Sequence, residues 1–237
     1  MTKHHYLKVR RVLVTGFGLV GKALVQSMSG NGNNIVILSR TAPQPSAEYK
    51  ALEVDLSSSE PATYSQYFKG IDVVVHTAAR VHVMHDDASD PLTEFRKINT
   101  VATLNLARQA AEVGVKRFIF LSSIKVNGEE TNSDSKFKPD DDFIPTDPYA
   151  LSKYEAEQGL LAIAKETGME VVIIRPPLVY GPNVKANFSS MMKWINRGVP
   201  LPLGAVHNQR SLVALNNLVS FIIHCLDHPK AANEIFF

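Results

Sequence analysis

The chain has 237 residues, of which 45% are hydrophobic and 20% are charged, and its formal net charge at pH 7 is +2. This balance is typical of a globular protein, and so small a charge gives no reason to expect a nucleic-acid partner. No apolar run reaches the length of a membrane span, the first residues lack a signal-peptide core, and the single Cys225 excludes an internal disulfide, so we expect a cytoplasmic protein.

Short apolar runs alternate with helical patterns along most of the chain. Six runs have the length and β-branched character of buried strands, and they are residues 9–15, 34–38, 52–56, 71–76, 116–121 and 171–175. The segments with helical character between them are residues 22–28, 61–69, 91–113 and a helix that begins at Asp147. This alternation predicts an α/β fold with a doubly wound parallel sheet and helices on both faces.

The alternation of strand and helix patterns stops after the sixth apolar run. Residues 176–182 contain three prolines, and an amphipathic helix returns only at residues 212–227. We therefore predict a main domain over residues 9–175 that is rejoined by this helix. Residues 176–210 are then a small substrate-binding insertion, and residues 228–237 the start of an incomplete C-terminal part.

A glycine-rich turn follows the first predicted strand. The residues are Gly16-Phe17-Gly18-Leu19-Val20-Gly21, and helical spacing continues directly after them. In this context the glycines allow a tight turn and let the backbone approach a pyrophosphate, which rests on the helix N-terminus. The alternative is a merely tight turn between strand and helix. The context favours a Rossmann domain that binds NAD or NADP.

The residues that follow the next three strands bear on the cofactor. Ser39-Arg40 stands where a carboxylate would accept the ribose hydroxyls of NAD, and an arginine there favours the 2′-phosphate of NADP. Alternatively, Arg40 stacks on the adenine or faces water. Asp55-Leu56 is placed to meet the adenine, and Thr77-Ala78-Ala79 supplies small residues where backbone lies against the cofactor.

A tyrosine and a lysine share one face of the helix that Asp147 caps. Pro148 suits the first turn, and Tyr149 and Lys153 are four residues apart. An ammonium close to a phenol favours the phenolate, so we expect Lys153 to lower the pKa of Tyr149 and make it an acid/base group. The alternative is an exposed helix that carries both residues by chance.

Three histidines and two aspartates follow one another near the end of the fourth strand. They are His76, His82, His85, Asp86 and Asp87. Their spacing matches no established set of metal ligands, so we predict no metal site.

The combined motifs resemble those of the extended short-chain dehydrogenases/reductases. More narrowly, residues 9–228 resemble the NAD-dependent epimerase/dehydratase family, which acts on nucleotide-diphosphate sugars. The resemblance implies that Ser123, in Ser122-Ser123, is the catalytic hydroxyl, Tyr149 the acid/base group and Lys153 its partner, which also holds the nicotinamide ribose.

The resemblance also implies contacts beyond these three residues. Asn99 supports the active site and Pro177 neighbours the cofactor, so both join the candidate cofactor-binding residues. Asn187-Phe188 and Arg210 resemble the residues that hold the diphosphate of the substrate, for which a bidentate arginine is well suited. Family members often form homodimers, so a homodimer is expected.

Three features depart from the family pattern. The usual glycine spacing, Gly-x-x-Gly-x-x-Gly, is one residue shorter here. Val126-Asn127-Gly128 stands in place of Val-Tyr-Gly and marks a subgroup. Family members normally continue well past the point that matches Phe237, so the chain is expected to be truncated, with an incomplete substrate lobe.

The implied chemistry is hydride transfer at C4 of a nucleotide-diphosphate sugar. The subgroup resembles enzymes of bacterial surface-polysaccharide biosynthesis that act on UDP-N-acetylhexosamines. A 4-epimerase that retains NAD and a 4-keto reductase that consumes NADPH share such a site, and both stay open. Two further alternatives are a reductase of hydroxysteroid or dihydroflavonol type and a catalytically silent dinucleotide-binding protein.

Overall fold

The computed structural model describes residues 10–44, 46–56, 63–81, 90–131, 135–141, 143–182, 184, 187–198, 200 and 209–237. Within these ranges, no helix is long and apolar enough to cross a membrane.

A parallel sheet of seven strands forms the centre of the protein. Its strands are β1 (Arg11–Thr15), β2 (Asn34–Ser39), β3 (Tyr49–Glu53), β4 (Val73–His76), β5 (Arg117–Leu121), β6 (Glu170–Ile174) and β9 (Ile235–Phe236). They lie in the order β3-β2-β1-β4-β5-β6-β9, so the order reverses between β1 and β4. The predicted doubly wound α/β fold is confirmed. Such a reversal is where ligands bind in this kind of sheet.

Helices pack on both faces of this sheet. On one face lie α2 (Ser65–Phe68), α4 (Thr103–Glu112) and α5 (Pro148–Thr167), and on the other α1 (Leu19–Met28) and α7 (Leu215–Cys225). Two further helices are α3 (Pro91–Phe95) and α6 (Asn187–Asn196). Alternate residues of each strand enter opposite cores. Leu13, for example, packs in the same core as Leu106 of α4, whereas Val14 packs with Leu24 of α1 and Leu218 of α7. This period of two explains why the strands read as continuous apolar runs.

The long helix predicted over residues 91–113 contains an irregular turn. A π-helical segment, Arg96–Ala102, joins α3 to α4, and Asn99 lies inside it, fully buried. Such segments are frequent at functional sites. Helical periodicity alone does not reveal this one.

Two predictions for the C-terminal quarter need correction. The helix predicted over residues 212–227 begins at Leu215, because Leu212–Ala214 form a strand, β8, that pairs in parallel with β7 (Leu178–Tyr180). No side chain caps this helix, so no sequence signal marks its start. Residues 228–237, expected to begin a separate part, instead add β9 to the edge of the main sheet beside β6. The remaining domain division stays a prediction.

Candidate active site

The glycine turn occupies the carboxyl end of β1. Gly16 has φ +84°, and a Cβ there would lie 2.7 Å from the Cα and N atoms of Ala78. A Cβ on Gly21 would lie 2.1 Å from the carbonyl oxygen of Gly16. Both positions therefore require glycine for the close approach of two backbones.

Gly18 differs from the other two glycines because the space beside it is open. No described atom lies within 4 Å of a Cβ built there. Gly18 is also the N-cap of the ten-residue helix α1, whose first N–H groups receive no side-chain cap and whose first turn has no acidic residue. An anion can therefore approach the positive end of this helix, and the site fits the pyrophosphate of a dinucleotide.

The segment after β4 lies against this turn. Thr77 donates hydrogen bonds from its N–H and its hydroxyl to the carbonyl oxygen of Thr15, both at 2.9 Å, and the hydroxyl also reaches the carbonyl oxygen of Gly16 at 3.1 Å. Ala78 and Ala79 follow, both half-buried. The structure thus places Thr77 and Ala78 beside the glycine turn, as expected of residues that contact a bound cofactor.

The residues predicted to meet the adenosine lie at the carboxyl ends of β2 and β3. Ser39 ends β2, and its carbonyl oxygen accepts the N–H of Val54 at 2.9 Å. Arg40 is exposed and makes no ion pair within the described part of the chain. Asp55 is exposed and Leu56 is buried. These four residues therefore lie at the same edge of the sheet as the glycine turn, the edge formed by the carboxyl ends of the strands.

The start of α5 is as predicted. The carboxylate of Asp147 accepts the N–H of Ala150 at 2.9 Å, and Pro148 occupies the first turn. The hydroxyl of Ser123, which lies beyond the carboxyl end of β5, is close enough to the phenol of Tyr149 to lower its pKa. The structure thus brings together the two residues expected to handle the substrate oxygen.

Lys153 lies one turn further along α5 and is only 1% exposed. Its Nζ donates a hydrogen bond to the carbonyl oxygen of Leu121 at 3.0 Å and stands 4.5 Å from the centre of the Phe120 ring. Burial lowers the pKa of Lys153 to about 7, and the carboxylate of Glu157 opposes this lowering. The amine can therefore change its charge near neutral pH.

The pKa of Tyr149 is shifted in the direction opposite to the one expected. Burial raises the pKa of Tyr149 above its ordinary value, the nearby hydroxyl of Ser123 lowers it, and Asp147 adds a smaller raising effect. Desolvation disfavours a phenolate, and a lysine whose own pKa is near 7 offsets little of that cost.

Asn99 connects the segment after β4 to α5. Its amide nitrogen donates to the carbonyl oxygen of Arg80 and to the hydroxyl of Ser152, both at 3.0 Å, and its oxygen accepts the N–H of Arg80 at 2.9 Å. The hydroxyl of Ser152 donates in turn to the carbonyl oxygen of Tyr149 at 2.7 Å. Asn99 has no exposed surface, so it links the segment after β4 to the first turns of α5 from inside the protein.

His76 is enclosed between two threonines. Its Nδ1 is hydrogen-bonded to Oγ1 of Thr15 at 2.5 Å and its Nε2 to Oγ1 of Thr103 at 2.8 Å. Burial, with a smaller effect of Lys153, lowers the pKa of His76 to about 3. This imidazole is therefore a neutral part of the core. His82, His85, Asp86 and Asp87 lie outside the described residues.

The candidate substrate residues are less completely described. Pro177 is half-buried between β6 and β7, and Arg210 is exposed just before β8. Asn187 and Phe188 begin α6, but their side chains lie outside what the structure describes. Their roles stay predictions.

Sequence reasoning missed a buried ion pair behind the site. The carboxylate of Glu157 and the guanidinium of Arg175 meet at 2.6 Å, with side-chain exposures of 0% and 5%. Ser122, noted only as a neighbour of Ser123, donates its hydroxyl to Glu157 at 2.5 Å. The available signal was the spacing of four residues between Lys153 and Glu157, which puts both on one helical face.

Comparison with known proteins assigns the chain to a family. The sequence profile of the NAD dependent epimerase/dehydratase family matches residues 12–236. A UDP-glucose 4-epimerase of Vibrio cholerae is 50% identical over 230 residues, which are 96% of this chain and 70% of that protein. An N-acetyl-alpha-D-glucosaminyl-diphospho-ditrans,octacis-undecaprenol 4-epimerase of Escherichia coli O157:H7 is 27% identical, over 95% of this chain and 65% of its own length.

A solved structure shares the fold over the same extent. MoeE5 in complex with UDP-glucose and NAD superposes with a TM-score of 0.77 at 27% identity, covering 96% of this chain and 75% of MoeE5. Profile, sequence relative and structure agree with the motifs around the glycine turn and α5. The chain therefore belongs to the NAD dependent epimerase/dehydratase family of enzymes, within the extended short-chain dehydrogenases/reductases.

Proposed function

We propose that the chain epimerises a UDP-linked hexose or N-acetylhexosamine at C4, through hydride transfer to and from a nicotinamide dinucleotide. The observation that carries this proposal is the approach of the Ser123 hydroxyl to the phenol of Tyr149, at the sheet edge that also holds Gly16–Gly21. The named activities of the relatives from Vibrio cholerae and Escherichia coli favour the epimerase.

The cofactor is assigned to the carboxyl edge of the sheet. When bound, it supplies a nicotinamide carbon that accepts a hydride and returns it. The open space at Gly18 and the uncapped α1 would take its pyrophosphate. Further binding residues would be Ser39, Arg40, Asp55, Leu56, Thr77, Ala78, Ala79 and Pro177, with Tyr149 and Lys153 at the ribose. Asn99, which has no exposed surface, would support them without touching the cofactor.

The proton chemistry falls to three side chains. Tyr149 takes the proton of the C4 hydroxyl and later returns it to the same oxygen. Ser123 donates a hydrogen bond to the same oxygen. Lys153 stabilises the phenolate in the fraction of molecules whose amine is charged, a fraction that varies around its pKa of about 7.

The substrate's diphosphate is assigned to Arg210 and to the segment around Asn187 and Phe188. Arg210 is exposed before β8, so its guanidinium is accessible to a ligand. A bidentate contact with phosphate oxygens is the strong use of such a group. A reductase of hydroxysteroid or dihydroflavonol type would not need this arginine. Unchanged substrate affinity in Arg210→Ala would therefore favour that alternative.

Arg40 supports a second candidate function, reduction of a UDP-4-keto sugar by NADPH. The residue is exposed beyond the carboxyl end of β2, where a 2′-phosphate would be recognised. Consumption of NADPH with a UDP-4-keto-6-deoxy-N-acetylhexosamine, followed at the absorbance of the reduced nicotinamide, separates this reaction from epimerisation, which consumes no cofactor.

The test is a nucleotide-sugar screen with matched variants. The protein, with added NAD, is incubated with UDP-glucose, UDP-galactose, UDP-N-acetylglucosamine or UDP-N-acetylgalactosamine, and products are followed by proton NMR. Tyr149→Phe should abolish conversion, whereas Tyr154→Phe, on the same helix, should retain it. No conversion of any sugar, together with no binding of NAD or NADPH by calorimetry, would favour the catalytically silent protein.

The biological setting belongs to the same proposal. A UDP-sugar 4-epimerase would supply precursors for surface polysaccharide, as the undecaprenol-linked activity named for the Escherichia coli relative suggests. The single cysteine is consistent with the reducing cytoplasm. A homodimer is expected by analogy with the family.

A further inference from the structure

A fully buried carboxylate lies behind the candidate site. Glu157 accepts hydrogen bonds from Nε and Nη2 of Arg175, at 3.1 and 2.6 Å, and from the hydroxyl of Ser122. Withdrawing two ions from water costs several kcal/mol each, so an apolar pair of similar volume would often be as stable. The pair is therefore poorly explained by stability alone.

The network reaches two of the three proposed catalytic residues, Ser123 and Lys153. Ser122 directly precedes Ser123, and Glu157 lies one helical turn after Lys153 on the same face of α5. Arg175 directly follows β6. The pair therefore ties the end of β5 and the end of β6 to the same turn of α5, and this fixes how Ser123 stands relative to Lys153.

The network also holds the loop that precedes α5. Nη1 of Arg175 donates to Oδ1 of Asn127 at 2.9 Å and to the carbonyl oxygen of Pro139 at 3.2 Å. The amide nitrogen of Asn127 donates to the carbonyl oxygen of Lys138 at 2.7 Å. These bonds explain why position 127 is an asparagine where the family usually has a tyrosine. A buried amide can accept a hydrogen bond from Arg175 and at the same time donate one to the loop.

We infer that Glu157 is a positioning residue of the catalytic site, acting through Ser122 and Arg175 to hold Ser123 and Lys153 in place. The inference rests on the proposed function for the chemistry that Ser123 and Lys153 perform.

The electrostatics around Lys153 agree with this geometry. His76 faces Lys153 from β4 and is neutral above pH of about 3, and Tyr149 stands one turn earlier on α5. Glu157 is the group whose negative charge raises the pKa of Lys153 against the effect of burial, and its own charge is paired with Arg175. Glu157 thus keeps part of the amine charged near neutral pH.

The experiment removes the network in three ways. Glu157→Gln removes one charge, Glu157→Gln/Arg175→Met removes both, and Ser122→Ala removes a single hydrogen bond from the carboxylate. Glu166→Gln is the matched control, because Glu166 lies on the same helix in an ion pair with Arg108 whose side chains are more than half exposed. The folded state of each variant is checked by thermal unfolding.

The first readout is the titration of Lys153 by NMR of lysine labelled with carbon-13 at Cε, assigned with Lys153→Met. The midpoint should fall by about one pH unit in the double variant and further in Glu157→Gln, where the charge of Arg175 is left unpaired. Glu166→Gln should titrate as the wild type does. An unchanged midpoint in the folded double variant would overturn the electrostatic part of the inference.

The second readout is the rate of UDP-sugar epimerisation. Ser122→Ala keeps both charges and is expected to fold even where the charge variants do not. Its kcat should fall roughly tenfold with KM and the Lys153 midpoint unchanged, since one misplaced contact affects the transition state. Wild-type kcat in Ser122→Ala would contradict the positioning role. If the wild type converts no sugar, the proposed function fails, while the NMR titration still tests the inference.

Discussion

The two halves of the candidate site are held together by different kinds of contact. At the carboxyl end of β1 the contacts are between backbones, with Gly16 against Ala78 and Gly21 against the carbonyl oxygen of Gly16. At the carboxyl ends of β5 and β6 the contacts are between buried polar side chains, above all Lys153, Glu157 and Arg175. The first half depends on the absence of side chains and the second on their charges.

This difference determines how each half responds to substitution. A backbone contact tolerates no added atom, so its loss appears as strain and is independent of pH. Replacing a buried ionisable group by a neutral analogue of the same size leaves the packing of the site unchanged. The loss of the charge is then seen in the catalytic rate and in the pH dependence of stability. The predictions below, from the largest expected effect to the smallest, test this division.

Lys153→Met should have the largest effect on activity. Removal of the amine should lower kcat about 1,000-fold, within the range of acid/base catalysis, measured by conversion of the UDP-sugar found in the screen. Because the pKa of Lys153 is lowered from 10.5 to about 7, the unfolded chain binds more protons between these values. Wild-type stability should therefore gain a contribution as the pH rises from 7 to 10.5, and the variant should lack it. Equal pH slopes in urea unfolding of the two proteins would contradict a buried amine.

Gly16→Ala should destabilise the protein and weaken dinucleotide binding. A left-handed backbone and a Cβ 2.7 Å from Ala78 together should cost about 3 kcal/mol in the free energy of unfolding. Gly114→Ala is the matched control, since Gly114 has the same φ, +84°, with no described atom within 4 Å of a Cβ. It should cost about 1 kcal/mol and leave NAD affinity unchanged. Similar losses in both variants would show that the close approach at Gly16 has no energetic role.

Acid should destabilise the protein through His76. Its pKa falls from 6.5 in the unfolded chain to about 3 in the folded protein, so only the unfolded state takes up a proton between these values. Stability should therefore decrease as the pH falls from 6.5 towards 3, with about 2 kcal/mol of the loss from this residue by pH 5. Urea unfolding at pH 7 and pH 5 measures the change. His76→Asn should lose less stability between pH 7 and pH 5 than the wild type does. The control, His224→Asn, changes an exposed position and should lose as much as the wild type.

Arg40→Ala should have the smallest effect. Loss of one exposed charge from a 2′-phosphate contact should weaken NADPH binding about tenfold and leave NAD binding nearly unchanged, as measured by calorimetry with each cofactor. Arg108→Ala, another exposed arginine, is the control. Equal affinity for NADPH in wild type and Arg40→Ala would remove the reason for preferring NADP and weaken the reductase alternative.

The backbone half could be predicted from the sequence because its signals are local. Three glycines between a strand and a helix, and an aspartate and proline at the start of α5, each specify a conformation within a few residues. The structure bears out both, and it contains all six predicted strands. The third of them lies at Tyr49–Glu53, three residues earlier than the predicted 52–56. The one-residue-shorter turn still forms a tight approach between Gly16 and Ala78.

The side-chain half could not be predicted in the same way. Glu155 and Glu157 are two residues apart on α5, yet the first pairs with Arg96 at the surface and the second is fully buried. Their burial depends on strands and loops distant in the sequence. The predicted direction of the Tyr149 pKa shift was wrong for the same reason, because the desolvation of a side chain depends on the whole fold. The seventh strand has two residues, too few for any period to appear.

That seventh strand determines when the outer edge of β6 is covered during synthesis on the ribosome. Strand β6 ends at Ile174, but its outer edge is covered only by residues made some sixty positions later, when the N–H of Arg175 donates to the carbonyl oxygen of Phe236 at 2.7 Å. Throughout that interval the nascent chain exposes a β edge that could pair with another polypeptide. Translation of residues 235–236, rather than of α5, is therefore the step at which this edge becomes protected against misassembly.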